Sequence, residues 1–132
     1  MSKAAQVKAP WLKSKDPEVP ATLNYSTLSM CGRVEEMVRR YPDYIAYEFM
    51  GKCTTYAEMW KKINACAKSL KAIGIREGDK VTICMPNAPQ TLCMFYAVNM
   101  VGAIANMVHP LSAESEIAFY LRDSGSVAAI TL

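Results

Sequence analysis

The sequence contains one histidine and five cysteines, and no two cysteines have C-x-x-C spacing. One imidazole and scattered thiols give little material for a zinc site, and an odd number of cysteines does not suit a disulfide framework. Most of the cysteines stand in apolar segments, so we predict that they are reduced core residues of a cytoplasmic protein. They are Cys31, Cys53, Cys66, Cys84 and Cys93.

The sequence also lacks a strong excess of one charge. It has 15 basic and 12 acidic residues, a net charge of +3 and no block of five like charges. This pattern is not that of a nucleic-acid-binding surface, and we predict no nucleic-acid partner. The lysines at positions 3, 8, 13 and 15 are not followed by the apolar stretch that a signal peptide needs.

Glycine is sparse, with six residues in the chain. A phosphate-binding loop needs closely spaced glycines between a strand and the start of a helix. The only close pair, Gly74 and Gly78, follows a predicted helix and precedes a predicted strand, which is the opposite order. We interpret the pair as a helix C-terminus followed by a turn.

One apolar run, from Thr91 to Val108, is almost long enough to cross a bilayer. Asn99, Gly102 and Asn106 interrupt it, and its second half has the pattern of a strand. Neither an aromatic belt nor a cluster of charges frames the run. We therefore predict no membrane span.

Proline marks the first division of the chain. Residues 1–25 contain Pro10, Pro17 and Pro20 with little periodicity, which predicts an extended N-terminal arm. Residues 26–132 predict an N-terminal α/β subdomain. With 52% hydrophobic residues, the chain is long enough to bury a core.

The subdomain is predicted to begin with a helix and a β-hairpin. Apolar residues recur at helical spacing from about Leu28 to Tyr41, where Pro42 ends the pattern. The segment from Tyr44 to Met50 alternates as a strand does, Gly51-Lys52 offers a tight turn, and Cys53 to Thr55 is predicted to pair back.

A second helix is predicted from a capping box at Thr55-Tyr56-Ala57-Glu58. Its lysines at 61, 62, 68 and 71 are expected to face water, and Gly74 is expected to end it. The predicted buried face consists of Met59, Ile63, Cys66, Ala67, Leu70 and Ile73.

Short apolar strands then alternate with helices of about a dozen residues. We predict strands at Lys80–Met85, Ala103–Val108 and Val127–Leu132, and helices at Gln90–Val101 and Ala113–Ser124. Ser112 is the predicted N-cap of the last helix and Gly125 its end. This alternation predicts right-handed crossovers in a parallel α/β sheet. Because both faces of such a sheet are normally covered, we expect the subdomain to be incomplete.

Few residues are candidates for a catalytic or ligand-binding role. His109 follows a predicted strand, where ligands bind in such sheets, but with no nucleophile identified it is better interpreted as a rim or packing residue. Cys84 and Cys93 could be nucleophiles, yet an apolar setting raises the pKa of a thiol, and we assign neither a role. Turn and cap positions explain Asp79, Glu116 and Asp123. We therefore assign no catalytic, cofactor-binding or metal residue.

Several short motifs occur in a characteristic order. They are T-Y-x-E from Thr55, L-x-x-x-G-I-x-x-G-D-x-V from Leu70, P-N-x-P from Pro86, A-x-x-x-x-G-A from Ala97, and E-x-x-x-x-L-x-D-S-G from Glu116. Over about residues 26–132, this series resembles the N-terminal portion of AMP-forming acyl-CoA synthetases, in the adenylate-forming superfamily. The sequence His109-Pro110-Leu111-Ser112 departs from the Asn-Pro of many relatives, so no contact of that loop is carried over.

The resemblance implies part of the N-terminal domain of an adenylate-forming enzyme. It also implies the reaction of a longer parent, in which ATP and a carboxylic acid form an acyl-adenylate and coenzyme A then displaces AMP. ATP, Mg²⁺ and coenzyme A would serve that parent, and none of them is expected to bind this chain. The family's phosphate loop, nucleotide-binding motifs and mobile-domain lysine are expected beyond Leu132, so the chain is expected to be inactive alone.

Two other interpretations remain open on the sequence. The chain could be a self-sufficient flavodoxin-like module that binds a small ligand near Pro86-Asn87 and His109. It could also be an interaction element, since unfinished sheet edges recruit partners. We expect the remainder of the parent enzyme as partner, and self-association through the nearly all-apolar helix Gln90–Val101.

Overall fold

The computed structural model describes residues 9–20 and 22–132. Within them, four α-helices, a hairpin and a three-stranded sheet follow a short 3-10 helix, Pro10–Ser14. The helices are α1 Met30–Arg40, α2 Tyr56–Ala72, α3 Pro89–Met100 and α4 Glu114–Ser124. The strands are β1 Ile45–Phe49, β2 Lys52–Thr55, β3 Lys80–Cys84, β4 Ile104–Met107 and β5 Ala128–Thr131.

The N-terminal arm lies only partly within the described residues. Its described part, residues 9–20 and 22–25, contains the 3-10 helix and no buried side chain. Lys3 and Lys8 lie outside the described residues. The boundary between arm and subdomain at residue 25 stays a prediction.

Helix α1 confirms the first predicted helix and packs on α3. Ser29 caps it, since its side-chain oxygen accepts the Gly32 N–H at 3.1 Å. The Cys31 N–H donates to Asn99 Oδ1 at 3.2 Å, and its thiol lies 3.0 Å from the Tyr96 carbonyl oxygen. These contacts fix the start of α1 against α3.

The hairpin is confirmed, but its predicted turn is wrong by one residue. Met50 and Gly51 form the turn, with φ of 50° and 76°, while Lys52 already pairs with Phe49 in the antiparallel ladder. A two-residue hairpin turn that matches the strand twist needs positive φ at both central positions. Met50, which is 91% exposed, takes the first of them.

Helix α2 begins with the predicted capping box. The Glu58 N–H donates to Thr55 Oγ1 at 3.2 Å, and Glu58 Oε2 accepts the Thr55 N–H at 3.0 Å. That backbone hydrogen bond is the main reason why the pKa of Glu58 lies below its ordinary value.

The buried face of α2 agrees with the prediction except at its end. Met59, Ile63, Ala67 and Leu70 are buried and Cys66 is half-buried, but Ile73 is 72% exposed. The helix ends at Ala72, and Gly74 at φ 94° turns the chain away. As a result Ile75 takes the buried place, and its N–H donates to the Leu70 carbonyl at 3.0 Å.

The parallel sheet is confirmed, with the strand order β4-β3-β5. Val81 and Ile83 in the central strand are fully buried. They share a hydrophobic cluster with residues of α2 and α3, which cover this face of the sheet. That cluster includes Ala67, Leu70, Ala97, Val98 and Val101.

Helix α4 starts one residue later than predicted, and Ser112 is not its N-cap. Ala113 is the cap residue, and its N–H donates to Glu116 Oε2 at 3.1 Å. Ser112 instead closes the preceding turn, because its N–H donates to the His109 carbonyl at 3.1 Å. Gly125 ends the helix in the left-handed region, as predicted. No residue of α4 is buried, and Phe119 on it is 54% exposed.

Candidate functional site at the carboxyl edge of the sheet

A rigid turn joins the central strand to helix α3. Met85, just beyond β3, is buried, and Pro86 to Ala88 lead into Pro89, the first residue of α3. The Thr91 hydroxyl donates to the Pro86 carbonyl at 2.5 Å, which ties the start of the turn to the first turn of α3. Proline at the first helical position suits a helix start because its missing N–H would have no partner there. The turn therefore presents Asn87 at the carboxyl edge of the sheet.

Two largely apolar cavities flank this turn. The first, which we call the aromatic groove, has a volume of about 410 Å³. The second, which we call the switch cavity, has a volume of about 430 Å³. The aromatic groove is lined by Tyr47, Phe49, Asn87, Leu92, Phe95 and Met107, among others. The switch cavity is lined by Lys62, Met85, Cys93, Met94, Ile130 and Thr131, among others.

The switch cavity lies where the topology of the sheet reverses. The chain leaves β3 for β4 on one side and then returns past β3 to β5 on the other. With right-handed crossovers, α3 and α4 then belong to opposite faces of the sheet. Ligands of open α/β sheets bind outside the carboxyl ends of strands at such a point. Met85 after β3 and Thr131 at the end of β5 meet there.

A polar ladder crosses the other face of the sheet, and sequence reasoning missed it. Thr82 is fully buried, and its hydroxyl accepts Asn106 Nδ2 at 2.9 Å and lies 2.7 Å from Ser126 Oγ. Ser126 in turn lies 2.8 Å from Ser124 Oγ at the end of α4. The one available signal was a threonine between the apolar residues Val81 and Ile83.

The ladder carries a stability prediction. We expect Thr82→Val to lower the free energy of unfolding by about 1–3 kcal/mol, because Asn106 and Ser126 lose their shared partner. Thr131→Val, at an exposed threonine of β5, is the matched control and should change it by less than about 0.5 kcal/mol. Urea unfolding followed by circular dichroism measures both. Equal effects of the two substitutions would show that the ladder adds nothing.

His109 lies exposed at the rim, beyond the end of β4. Its Nδ1 accepts the Leu111 N–H at 3.2 Å, and its carbonyl oxygen lies 4.0 Å from the Cys84 thiol. These bonds shape the loop that leads to α4. The structure brings no carboxylate into hydrogen bonding with His109 among the described residues.

The cysteines are free, and burial governs their chemistry. Desolvation raises the pKa of Cys31, Cys66 and Cys93, which favours the unreactive thiol over the thiolate. Cys84 is buried, whereas Cys53 on β2 is exposed and departs from the expected core position. We assign none of them a catalytic role.

Most of the remaining sequence candidates occupy the structural positions expected of them, but Asp123 lies inside the last turn of α4 and not at a turn or cap position. Gly74 and Gly78 both have positive φ, and the Gly78 N–H donates to the Gly102 carbonyl at 3.0 Å, so they are a C-terminus and a turn. Asp79 Oδ2 accepts the Arg76 N–H at 2.7 Å within that turn. In the described residues, no three His, Cys, Asp or Glu side chains come together as metal ligands would.

The long apolar run is divided between α3 and β4. Among the helices of residues 9–20 and 22–132, none combines the length and apolar character of a membrane-crossing segment.

Comparison with protein families decides the identity of the fold. The model of the family described as AMP-binding enzyme matches residues 34–132, which is most of the chain. The chain belongs to the AMP-binding enzyme family. This confirms the resemblance that the motif series indicated.

Relatives of this AMP-binding chain include fatty-acid ligases. A long-chain-fatty-acid–CoA ligase of Bacillus subtilis is 31% identical over 127 residues, which are 96% of this chain and 23% of that protein. The long-chain-fatty-acid–CoA ligase FadD13 of Mycobacterium tuberculosis is 42% identical over 76 residues, 58% of this chain and 15% of that protein. The chain thus spans less than a quarter of the length of these relatives.

Solved structures agree with the sheet and helix arrangement. The N-terminal domain of FACL13 from Mycobacterium tuberculosis is 33% identical, with a TM-score of 0.76, over 80% of this chain and 27% of that one. The NpsA N-terminal subdomain of Klebsiella oxytoca is 26% identical, with a TM-score of 0.74, over 77% and 27%. The fold is therefore part of the N-terminal domain of an adenylate-forming enzyme.

Proposed function

We propose that this chain forms the N-terminal α/β portion of an AMP-forming acyl-CoA synthetase that acts on fatty acids. The observation that carries the proposal is the match of 96% of the chain to the Bacillus subtilis ligase. The alternative of a self-sufficient flavodoxin-like module is not favoured, because residues 34–132 match the AMP-binding enzyme family.

In the proposed reaction, ATP and a fatty acid form an acyl-adenylate and pyrophosphate, and coenzyme A then displaces AMP to give a thioester. The role of this chain in that reaction is structural. The buried strand β3, the Pro86–Pro89 turn and the helix α3 hold the carboxyl edge of the sheet in one shape. A rigid edge of this kind allows neighbouring parts of an enzyme to position reacting groups without reorganisation.

We also propose that the chain by itself does not catalyse the reaction. Each of its glycines outside α1 lies in a turn or at a helix end, and none forms a loop that could surround phosphates between a strand and a helix. We assign none of the described residues to Mg²⁺, and ATP and coenzyme A are proposed as substrates of the longer enzyme. The five free cysteines support a cytoplasmic location.

Two proteins test the proposal together. The first is this chain alone, which should neither exchange pyrophosphate into ATP nor bind MgATP with micromolar affinity. The second is a chimera in which this chain replaces the aligned segment of the Bacillus subtilis ligase, and it should form acyl-CoA from a long-chain fatty acid. Exchange by the chain alone contradicts its inactivity. A folded chimera that forms no thioester contradicts the assigned family role.

Self-association, expected from the sequence, remains a proposal. Helix α3 is better covered than expected, with Thr91, Cys93, Ala97 and Val98 buried. Exposed apolar side chains lie instead on α4 and β4, for example Phe119, Ile104 and Met107. If light scattering shows that the chain is strictly monomeric at high concentration, the proposed self-association is contradicted.

A further inference from the structure

Four sulfur-containing side chains converge on the switch cavity, which has no ligand in the proposed function. They come from three parts of the fold, namely α2, α3 and the residue that follows β3. By contrast, Met107 is the one sulfur-containing side chain among the described residues that line the aromatic groove. The four residues are Cys66, Met85, Cys93 and Met94.

The two cysteines come to the cavity from neighbouring helices. On α2, Cys66 follows Lys62 by four residues, and on α3, Cys93 follows Pro89 by four, a spacing that places each pair on one face of its helix. All four of these residues line the cavity. Both cysteines also pack in the cluster around the fully buried Ile63. The seam between α2 and α3 therefore supplies two thiols to one apolar space.

Two methionines lie beside the cysteines. Met85 is buried just beyond β3, and Met94, next to Cys93 on α3, packs against the cluster that contains Met85. Cys66 packs against the same cluster. Thioether sulfur is polarisable and the methionine side chain is unbranched and flexible, so these side chains can turn their sulfur atoms toward a ligand at small cost.

The thiols of the cavity differ from the other buried thiols in their contacts. The thiols of Cys31 and Cys84 lie 3.0 Å and 4.0 Å from backbone carbonyl oxygens to which they donate. In the part of the chain that the structure describes, neither the Cys66 thiol nor the Cys93 thiol donates to a carbonyl oxygen in this way. Their sulfur atoms are therefore available to a ligand.

Charge in the cavity favours a cation between the two sulfur atoms. Burial is the main cause that raises the pKa of Cys93, and charge interaction with Cys66 raises it further, because two negative charges would share an apolar space. A cation bound to both sulfur atoms removes that repulsion. The charge of Lys62 lowers the pKa of Cys93, but Lys62 Nζ donates to the Tyr47 hydroxyl at 3.2 Å, and Tyr47 does not line the cavity. The ammonium group therefore does not take the place of the cation.

We propose that the switch cavity binds one Cu(I) ion through the thiolates of Cys66 and Cys93, with the two thioethers as further ligands. Soft thiolate and thioether ligands select Cu(I), whereas Mg²⁺ and Ca²⁺ need oxygen ligands. A structural zinc site needs four donors, and no three His, Cys, Asp or Glu side chains of the described residues come together. On binding, each thiol releases its proton to solvent and its sulfur forms a bond to copper, which stays Cu(I). The site does not depend on the reaction proposed above.

Competition with the Cu(I) chelator bathocuproine disulfonate tests the site, with the complete chain in the absence of oxygen. Cys66→Ser should weaken the affinity for Cu(I) by more than about a hundredfold, which exceeds the usual effect of losing an outer-shell partner. Cys53→Ser is the matched control, because Cys53 is an exposed cysteine of β2 outside the cavity. It should change the affinity by less than about twofold, as expected of a surface position. An equal or larger effect of Cys53→Ser would mean that copper binds at the surface and would overturn the proposal.

The methionines provide a second measurement. Met85→Leu and Met94→Leu conserve volume and apolar character but remove the sulfur, so they keep the test valid if Cys66→Ser does not fold. Each should weaken the affinity for Cu(I) severalfold, and an unchanged affinity in both would overturn the four-sulfur site. In NMR spectra of the unmodified chain, Cu(I) should move the methyl signals of Met85 and Met94 and leave that of the exposed Met50 in place. Movement of the Met50 signal alone would also overturn the proposal.

Discussion

Replacing Ile83 by aspartate is expected to remove the cooperative fold of this chain. Ile83 lies in the central strand and is 0% exposed. The hydrophobic cluster to which it belongs includes apolar residues of α3 and β5. An unpaired carboxylate there loses its hydration without a compensating partner. We expect a loss of about 5 kcal/mol or more, which is comparable to the whole stability of a small domain.

The matched control for this substitution lies in the same row of the sheet. Met107 is the register partner of Ile83 on β4 and is 51% exposed. Met107→Asp should cost about 1 kcal/mol or less, because its carboxylate stays in water. Thermal unfolding followed by circular dichroism distinguishes the two proteins. A cooperative transition for Ile83→Asp near that of the unmodified chain would disprove the assigned core.

Replacing Ile63 by alanine is expected to lower the free energy of unfolding by about 2–5 kcal/mol. Ile63 is fully buried where the three helices α1, α2 and α3 meet, in a cluster with Val34, Met59 and Cys93. Loss of its side chain removes contacts to all three helices and leaves a space that a packed cluster cannot fully close.

Ile73 provides the control for Ile63, because it is the same residue type ten positions later. It is 72% exposed, so Ile73→Ala should change the free energy of unfolding by less than about 0.5 kcal/mol. Guanidinium unfolding with tryptophan fluorescence measures both variants. If Ile73→Ala is the more harmful of the two, the helix register described above is wrong.

These predictions bear on the proposed function because the core and the carboxyl edge are one unit. The central strand is buried by α2 and α3, and α3 begins at the turn that forms the edge. A substitution that loosens this core would therefore also displace the turn in a longer enzyme.

Local physical chemistry made several features predictable from the sequence. The capping box at Thr55 and Glu58, the glycine ends at Gly74 and Gly125, and the alternation of short apolar strands with helices each depend on residues close together in the chain. The motif series identified the family for the same reason, since each motif is a short local pattern. The errors were also local and small. They concerned Ser112 as a cap, Gly51-Lys52 as a turn, and Cys53 and Ile73 as core residues.

The sequence by itself determined the class of fold, because hydrophobic period and caps act over a few residues. Only the tertiary structure decided which distant residues meet. It joined Asn106 of β4 and Thr82 of β3 to Ser126 in the turn before β5, and it placed Lys52 of β2 and Lys62 of α2 beside the start of α3. Contacts of this kind depend on how elements pack in space, and no spacing along the chain encodes them directly.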